Sequence, residues 1–161
     1  MGYRPRVMRT RLGVLALLAA VVLAGCGDET PSRGEADDEP RGQIDAQLVE
    51  MVTETAVGGM VAPGAVALSD ELAVQDFSGQ FEDDRMQTKL TQAFADLKVP
   101  EDKAAYAAVV AIGCEVPPDV TVTSTDTGIL IQGTKPTTKP VECFAPMTSV
   151  AIVLVDESVV G

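Results

Sequence analysis

Hydrophobic and polar residues divide the chain into three segments. An apolar run, Leu12–Ala24, is followed by the polar segment Gly27–Gln43, in which no aliphatic residue is larger than Ala36. From Ile44 onward, apolar positions recur with the periods of helices and strands. The polar segment cannot bury enough apolar surface to offset the entropy lost on ordering. We therefore predict an acidic disordered tether over residues 26–43 and a single domain over residues 44–161.

The segment Ile44–Val57 shows the spacing of an amphipathic helix. Its apolar side chains recur every three or four residues, and Gly58 follows as a helix-ending residue. The residues on this apolar face are Ile44, Leu48, Met51, Val52 and Thr55. We predict a helix over this segment.

Two further helices are predicted in the first half of the domain. Ser69 is a suitable N-cap for a short helix that ends near Phe77. The clearest helical pattern is Glu82–Lys98, which begins with acidic residues, ends with a basic one as the helix dipole favours, and is followed by Pro100. Its apolar stripe, which we expect to face the core, consists of Met86, Leu90, Ala93, Phe94 and Leu97.

The second half of the domain has the pattern of β-structure. Val120–Ser124 and Ile129–Gln132 flank a polar turn and predict a hairpin. Ser149–Asp156 is an apolar run typical of a strand, and so is Ala65–Leu68, which precedes the two further predicted helices. Tyr106–Ile112 fits either a helix, because it is rich in alanine, or a strand buried on both faces; the neighbouring strands favour the strand.

Together these elements predict an α+β fold. The N-terminal helices come first and pack on one face of a mostly antiparallel sheet of about four or five strands. The sequence contains no internal repeat.

The residues before Cys26 indicate export. Four arginines and no acidic residue precede the apolar run, and this charge pattern keeps the N-terminus on the cytoplasmic side during insertion. The run has thirteen residues, whereas a membrane-spanning helix needs about 20, so a cleaved signal peptide over residues 1–25 is predicted. The run closes with Leu23-Ala24-Gly25-Cys26, which resembles the lipobox of bacterial lipoproteins at all four positions.

The resemblance to bacterial lipoproteins covers only the first 26 residues. It implies that a diacylglyceryl group is joined to the sulfur of Cys26 and that a peptidase cuts between Gly25 and Cys26. Two acyl chains hold a protein stably on a bilayer. We therefore expect a protein anchored in the cell membrane and facing the extracytoplasmic side. A secretory signal with an incidental cysteine and an uncleaved anchor are the alternatives.

Charge and aromatic content bear on the kind of partner. All 24 acidic residues follow Cys26 and four of the 12 basic residues precede it, so the chain from Cys26 onward has a net charge of about −16. Such a surface repels nucleic acid and anionic headgroups. The absence of tryptophan also removes the best stacking platform for nucleobases. The simplest role of the charge is solubility; a cationic partner or a metal ion is the alternative.

Three cysteines are present: Cys26, Cys114 and Cys143. Because the lipid is expected to occupy Cys26, the other two remain as a pair, and outside the cytoplasm such a pair is usually oxidised. A disulfide between them would stabilise the fold by about 3–4 kcal/mol. Two separate buried thiols are the alternative.

The residues that most enzymes use are missing. The chain has no histidine, which removes Ser-His-Asp and Cys-His catalysis and histidine metal sites. A disulfide leaves no thiolate nucleophile, and neither Ser-x-x-Lys nor a Gly-rich phosphate loop occurs. We therefore expect no cofactor and no catalytic or metal-binding residue.

Each cysteine of the pair begins a turn that contains proline. Pro117 and Pro118 follow Cys114, whereas Phe144 and Pro146 follow Cys143. One hypothesis is that these four residues form a shared binding rim, because binding residues favour loops on a rigid scaffold. The alternative is that the prolines only shape the loops around the disulfide.

Two classes of function follow. The first is a non-catalytic binding or accessory module at the cell envelope, which meets an unidentified envelope protein or a small ligand. The second is a small hydrolase that uses carboxylates alone. Exposed apolar surface around the proline turns would favour the first, and two inward-facing carboxylates in a pocket would favour the second.

Overall fold

The computed structural model describes residues 42–62, 64–137 and 142–160. The lipobox with Cys26, the apolar run and the predicted tether up to residue 41 lie outside these residues. The elements in the described part are β1 (Gly42–Gln43), β2 (Ala46–Thr55), β3 (Val66–Ala67), α1 (Glu71–Ser78), α2 (Asp84–Asp96), β4 (Lys103–Gly113), β5 (Val120–Thr125), β6 (Gly128–Gly133) and β7 (Met147–Asp156). A 3₁₀ turn over Glu157–Val159 follows β7. The predicted α+β class is confirmed.

The described strands form two antiparallel sheets where one was expected. The large sheet has the order β2-β7-β4-β3, and the small sheet has the order β1-β5-β6. The helices cover one face of the large sheet and the small sheet covers the other. Strand β7 lies between β2 and β4, and its alternate side chains face opposite layers: Ile152 packs toward the helices and Val153 toward the small sheet.

The prediction of a helix over Ile44–Val57 is wrong, because most of this segment forms strand β2. A register shift between Leu48 and Glu50 marks a bulge in the pairing of β2 with β7. Beyond the bulge, Met51 packs on the same side of the sheet as Leu48, although the two are three residues apart. The bulge therefore reproduces helical spacing in a strand.

The two predicted helices that follow are confirmed, with small changes at their ends. Helix α1 is capped by Asp70, not Ser69: the Asp70 carboxylate accepts a hydrogen bond of 2.9 Å from the Ala73 N–H. Helix α2 is capped by Asp83, which accepts a hydrogen bond of 2.8 Å from the Arg85 N–H. The predicted stripe faces the core, with Met86 and Leu90 buried and its other members partly buried against them.

The predicted strands of the second half are confirmed. Tyr106–Ile112 lies within β4, which resolves the choice between helix and strand. The hairpin pairs Thr125 with Gly128 at its turn. One boundary changes: Gly42 and Gln43, the last residues of the predicted tether, form β1 and pair with β5.

Candidate binding surface at the disulfide

The predicted disulfide between Cys114 and Cys143 is confirmed, with a distance of 5.4 Å between the Cα atoms. Cys114 directly follows β4, and Cys143 precedes β7 in the loop from β6. The two strands are neighbours in the large sheet, and Gly113 pairs with Met147 at the end of their ladder. The bond therefore fixes both proline-containing turns at one end of the sheet.

Three apolar side chains near the disulfide are exposed. Phe144, next to Cys143, is fully exposed. Ile112 and Val116, each two residues from Cys114, are 39% and 37% exposed. Each of the three therefore lies within two residues of a disulfide-bonded cysteine.

The four residues of the hypothesised binding rim differ in their exposure to solvent. Pro118, Phe144 and Pro146 are exposed, whereas Pro117 is buried. Pro117 packs against Gly133 of β6 so closely that a Cβ built on Gly133 would lie 2.7 Å from the Pro117 Cγ. The Pro146 carbonyl accepts a hydrogen bond of 3.0 Å from the Ala56 N–H. Pro117 thus shapes the turn, while Phe144 presents a side chain to solvent.

A cleft of about 420 Å³ lies beside the disulfide, between the end of β4 and the end of β6. Its lining comprises Val110–Glu115, Pro117 and Gly133–Pro136. The lining is mainly apolar, with one carboxylate from Glu115 and one ammonium group from Lys135. Such a cleft is suited to an apolar side chain with a polar neighbour.

The sequence pattern did not indicate that Ile112 and Val116 are surface residues. Ile112 falls at the end of an apolar run that was expected to be buried, and Val116 stands between the cysteine and two prolines. Their exposure follows from the position of the strand end, which the local pattern does not encode. The only signal in the sequence was their nearness to Cys114.

Two features of the polar side chains in the described residues bear on their chemistry. The fully buried polar side chains in this part of the chain are serines and threonines, and no group of three potential metal ligands occurs there. Hydrogen bonds from Lys89 and from the Thr55 N–H hold the pKa of Glu54 below its usual range. Hydrogen bonds from the side chain and N–H of Arg85 lower the pKa of Asp83 in the same way. Both carboxyl groups are thereby made poorer proton donors near neutral pH.

No protein-family model matches the chain, and no curated protein or solved structure is similar to it. In the described ranges neither helix is long and apolar enough to cross a membrane. The function is therefore inferred from the residues and the geometry of this chain.

Proposed function

We propose that this protein is a lipoprotein of the cell membrane that acts as a non-catalytic binding module at the extracytoplasmic side. A diacylglyceryl group on Cys26 anchors it, and the surface beside the Cys114–Cys143 disulfide meets an envelope protein. The observation that carries the binding role is the full exposure of Phe144 next to the disulfide.

An exposed phenylalanine is informative because water is an unfavourable environment for it. Burial of apolar surface contributes about 25 cal/mol per Å², so covering Phe144 with a partner is favourable. The disulfide holds the turn in place, which lowers the entropy lost on binding. Ile112 and Val116 supply further apolar area within two residues of the same bond. A rigid aromatic anchor with apolar neighbours is typical of the centre of a protein interface.

The alternative, a hydrolase that uses carboxylates alone, requires a carboxyl group whose pKa is raised by burial. In the described part of the chain the two carboxyl groups with a clear shift, Glu54 and Asp83, are shifted downward. The fully buried polar side chains there carry hydroxyl groups. These observations favour binding over hydrolysis.

Crosslinked capture from native membranes tests the proposal. Wild-type protein should capture a specific partner, and Phe144→Ala should weaken that capture. Loss of an anchor worth about 2 kcal/mol corresponds to roughly a thirtyfold loss of affinity. Met60→Ala is the matched control, because Met60 is 70% exposed and lies in the loop between β2 and β3.

Two results would contradict the proposal. The first is capture that Phe144→Ala and Met60→Ala affect equally. The second is turnover of a hydrolase substrate by the purified protein that is lost when one Asp or Glu is replaced. The second result would favour the alternative function, a hydrolase that uses carboxylates alone.

A further inference from the structure

The large sheet has a long edge strand. Strand β2 has ten residues and, within the described ranges, pairs only with β7. Helix α2 covers part of its free edge with basic side chains. The Lys89 Nζ donates to the Thr53 carbonyl at 2.8 Å, and the Arg85 Nη2 donates to the Thr55 carbonyl at 3.3 Å. The backbone groups of Thr53 and Thr55 therefore point away from β7.

The free edge continues toward the start of β2. Because backbone groups alternate along a strand, Met51 presents its N–H and carbonyl to the same side as Thr53, with no register shift between them. Within the described residues, no backbone group pairs with Met51 on that side. An edge with free donors and acceptors is a template for another strand.

A groove follows this edge. It has a volume of about 480 Å³ and lies between Glu50–Thr53 of β2 and the side of α2 that carries Lys89, Gln92, Ala93 and Asp96. An open strand edge flanked by a helix is suited to an extended peptide, since the backbone supplies hydrogen bonds and the helix forms a wall for alternate side chains.

We propose that this groove binds an extended, basic peptide segment of a partner, which adds to β2 as a fifth strand of the large sheet. The charge of the groove favours a basic occupant. Glu50 and Asp96 line it, and within the described residues neither forms an ion pair. The ammonium group of Lys89 is neutralised by Glu54, 3.0 Å away.

The same charge argues against two other occupants. Antiparallel pairing of β2 with β2 of a second copy, in the register that places the two Glu50 side chains directly opposite each other, would be destabilised by their like charges. The segment Glu35–Glu39 of this chain contains four acidic residues and would also be repelled. A basic segment from another protein would not be repelled by the acidic side chains of the groove.

Amide hydrogen exchange tests the proposal on the full-length protein in detergent. The probe is a seven-residue peptide of alternating valine and lysine, blocked at both ends, and its counterpart contains glutamate in place of lysine. The lysine peptide should slow exchange at the Met51 and Thr53 amides by about tenfold at saturation, because both N–H groups would then donate hydrogen bonds to the backbone of the added strand. The glutamate peptide should have little effect.

A charge reversal sharpens the test. Glu50→Lys should weaken binding of the lysine peptide by about threefold to tenfold and strengthen binding of the glutamate peptide. Glu101→Lys makes the same change in net charge in the exposed turn before β4, and it should leave both affinities unchanged. Phe144→Ala should also leave peptide binding unchanged, so this site and the surface beside the disulfide are judged separately.

Three results would overturn the proposal. One is unchanged exchange at Met51 and Thr53 with either peptide. Another is equal protection by the lysine and glutamate peptides. The third is protection that appears without peptide as the protein concentration rises, which would assign the edge to a second copy of the chain.

Discussion

At the scale of single residues, the contact between Pro117 and Gly133 decides how the turn after Cys114 is held. The proline ring fills the space in which a side chain on Gly133 would lie, and the Val110 carbonyl is 3.2 Å from the same point. A proline ring cannot move aside as a long flexible side chain can. The glycine is therefore required for the close approach of the turn to β6.

This contact predicts different costs for two glycine substitutions near the cleft. Gly133→Ala should lower the free energy of unfolding by about 1–3 kcal/mol, because the added methyl group overpacks the contact with Pro117. Gly113→Ala is the control, since no atom lies within 4 Å of the position of its Cβ, and it should change stability by less than about 0.5 kcal/mol. Urea unfolding measures both. Equal costs would show that the Pro117 contact does not constrain the turn.

At the scale of elements, Glu54 of β2 forms ion pairs with two basic side chains of α2. Its carboxylate lies 2.9 Å from the Arg85 guanidinium and 3.0 Å from the Lys89 Nζ. Both basic side chains also donate to carbonyls at the edge of β2. One acidic residue therefore positions the side chains that cover the end of the strand edge, and it leaves the part near Met51 open.

The lowered pKa of Glu54 predicts a dependence of stability on pH. Its usual value of 4.5 applies to the unfolded chain, and hydrogen bonds from Lys89 and the Thr55 N–H lower it in the fold. The unfolded state therefore binds more protons as the pH falls below about 4.5, so the stabilisation is present above that pH and is lost below it.

Urea unfolding between pH 3 and pH 7 checks this dependence. Wild-type stability should fall more steeply on acidification than that of Glu54→Gln. Lys89→Met removes the main cause of the shift and should flatten the curve in the same region. Parallel curves for wild type and both variants would rule out a role for Glu54 in acid sensitivity.

At the scale of the whole molecule, the large sheet is shared by two cores. One core lies between this sheet and the helices, and the other lies between it and the small sheet. Strand β7 contributes alternate residues to both, and eight of its ten residues are buried. The strand ends near the disulfide and the edge of β2 lie at the boundaries of this sheet, and these are the two places where we propose that other molecules bind.

The proposed lipid anchor has its own test. Cells labelled with a palmitate analogue should incorporate the label into the wild-type protein, because the lipobox resemblance implies acylation at Cys26. Cys26→Ala should remain unlabelled and accumulate as the uncleaved precursor. Cys114→Ala is the control for loss of a cysteine and should still be labelled. Equal labelling of wild type and Cys26→Ala would refute the anchor.

Local patterns in the sequence determined much of the fold. The stripe of α2, the hairpin of β5 and β6, and the apolar run of β7 each depend on neighbouring residues, and all three are confirmed. The pairing of Cys114 with Cys143 followed from the number of cysteines and is also confirmed. The exposed Phe144 was identified as a candidate because it adjoins Cys143.

Only the tertiary structure decided the features that depend on distant contacts. The bulge between Leu48 and Glu50 gave β2 the spacing of a helix, and pairing with β7, about 100 residues away in sequence, made it a strand. The division into two sheets depends on which faces pack together, and periodicity cannot specify that. The same reason applies to three further features, because each depends on the elements that lie beside it in space. These features are the burial of Pro117, the exposure of Ile112 and the groove between β2 and α2.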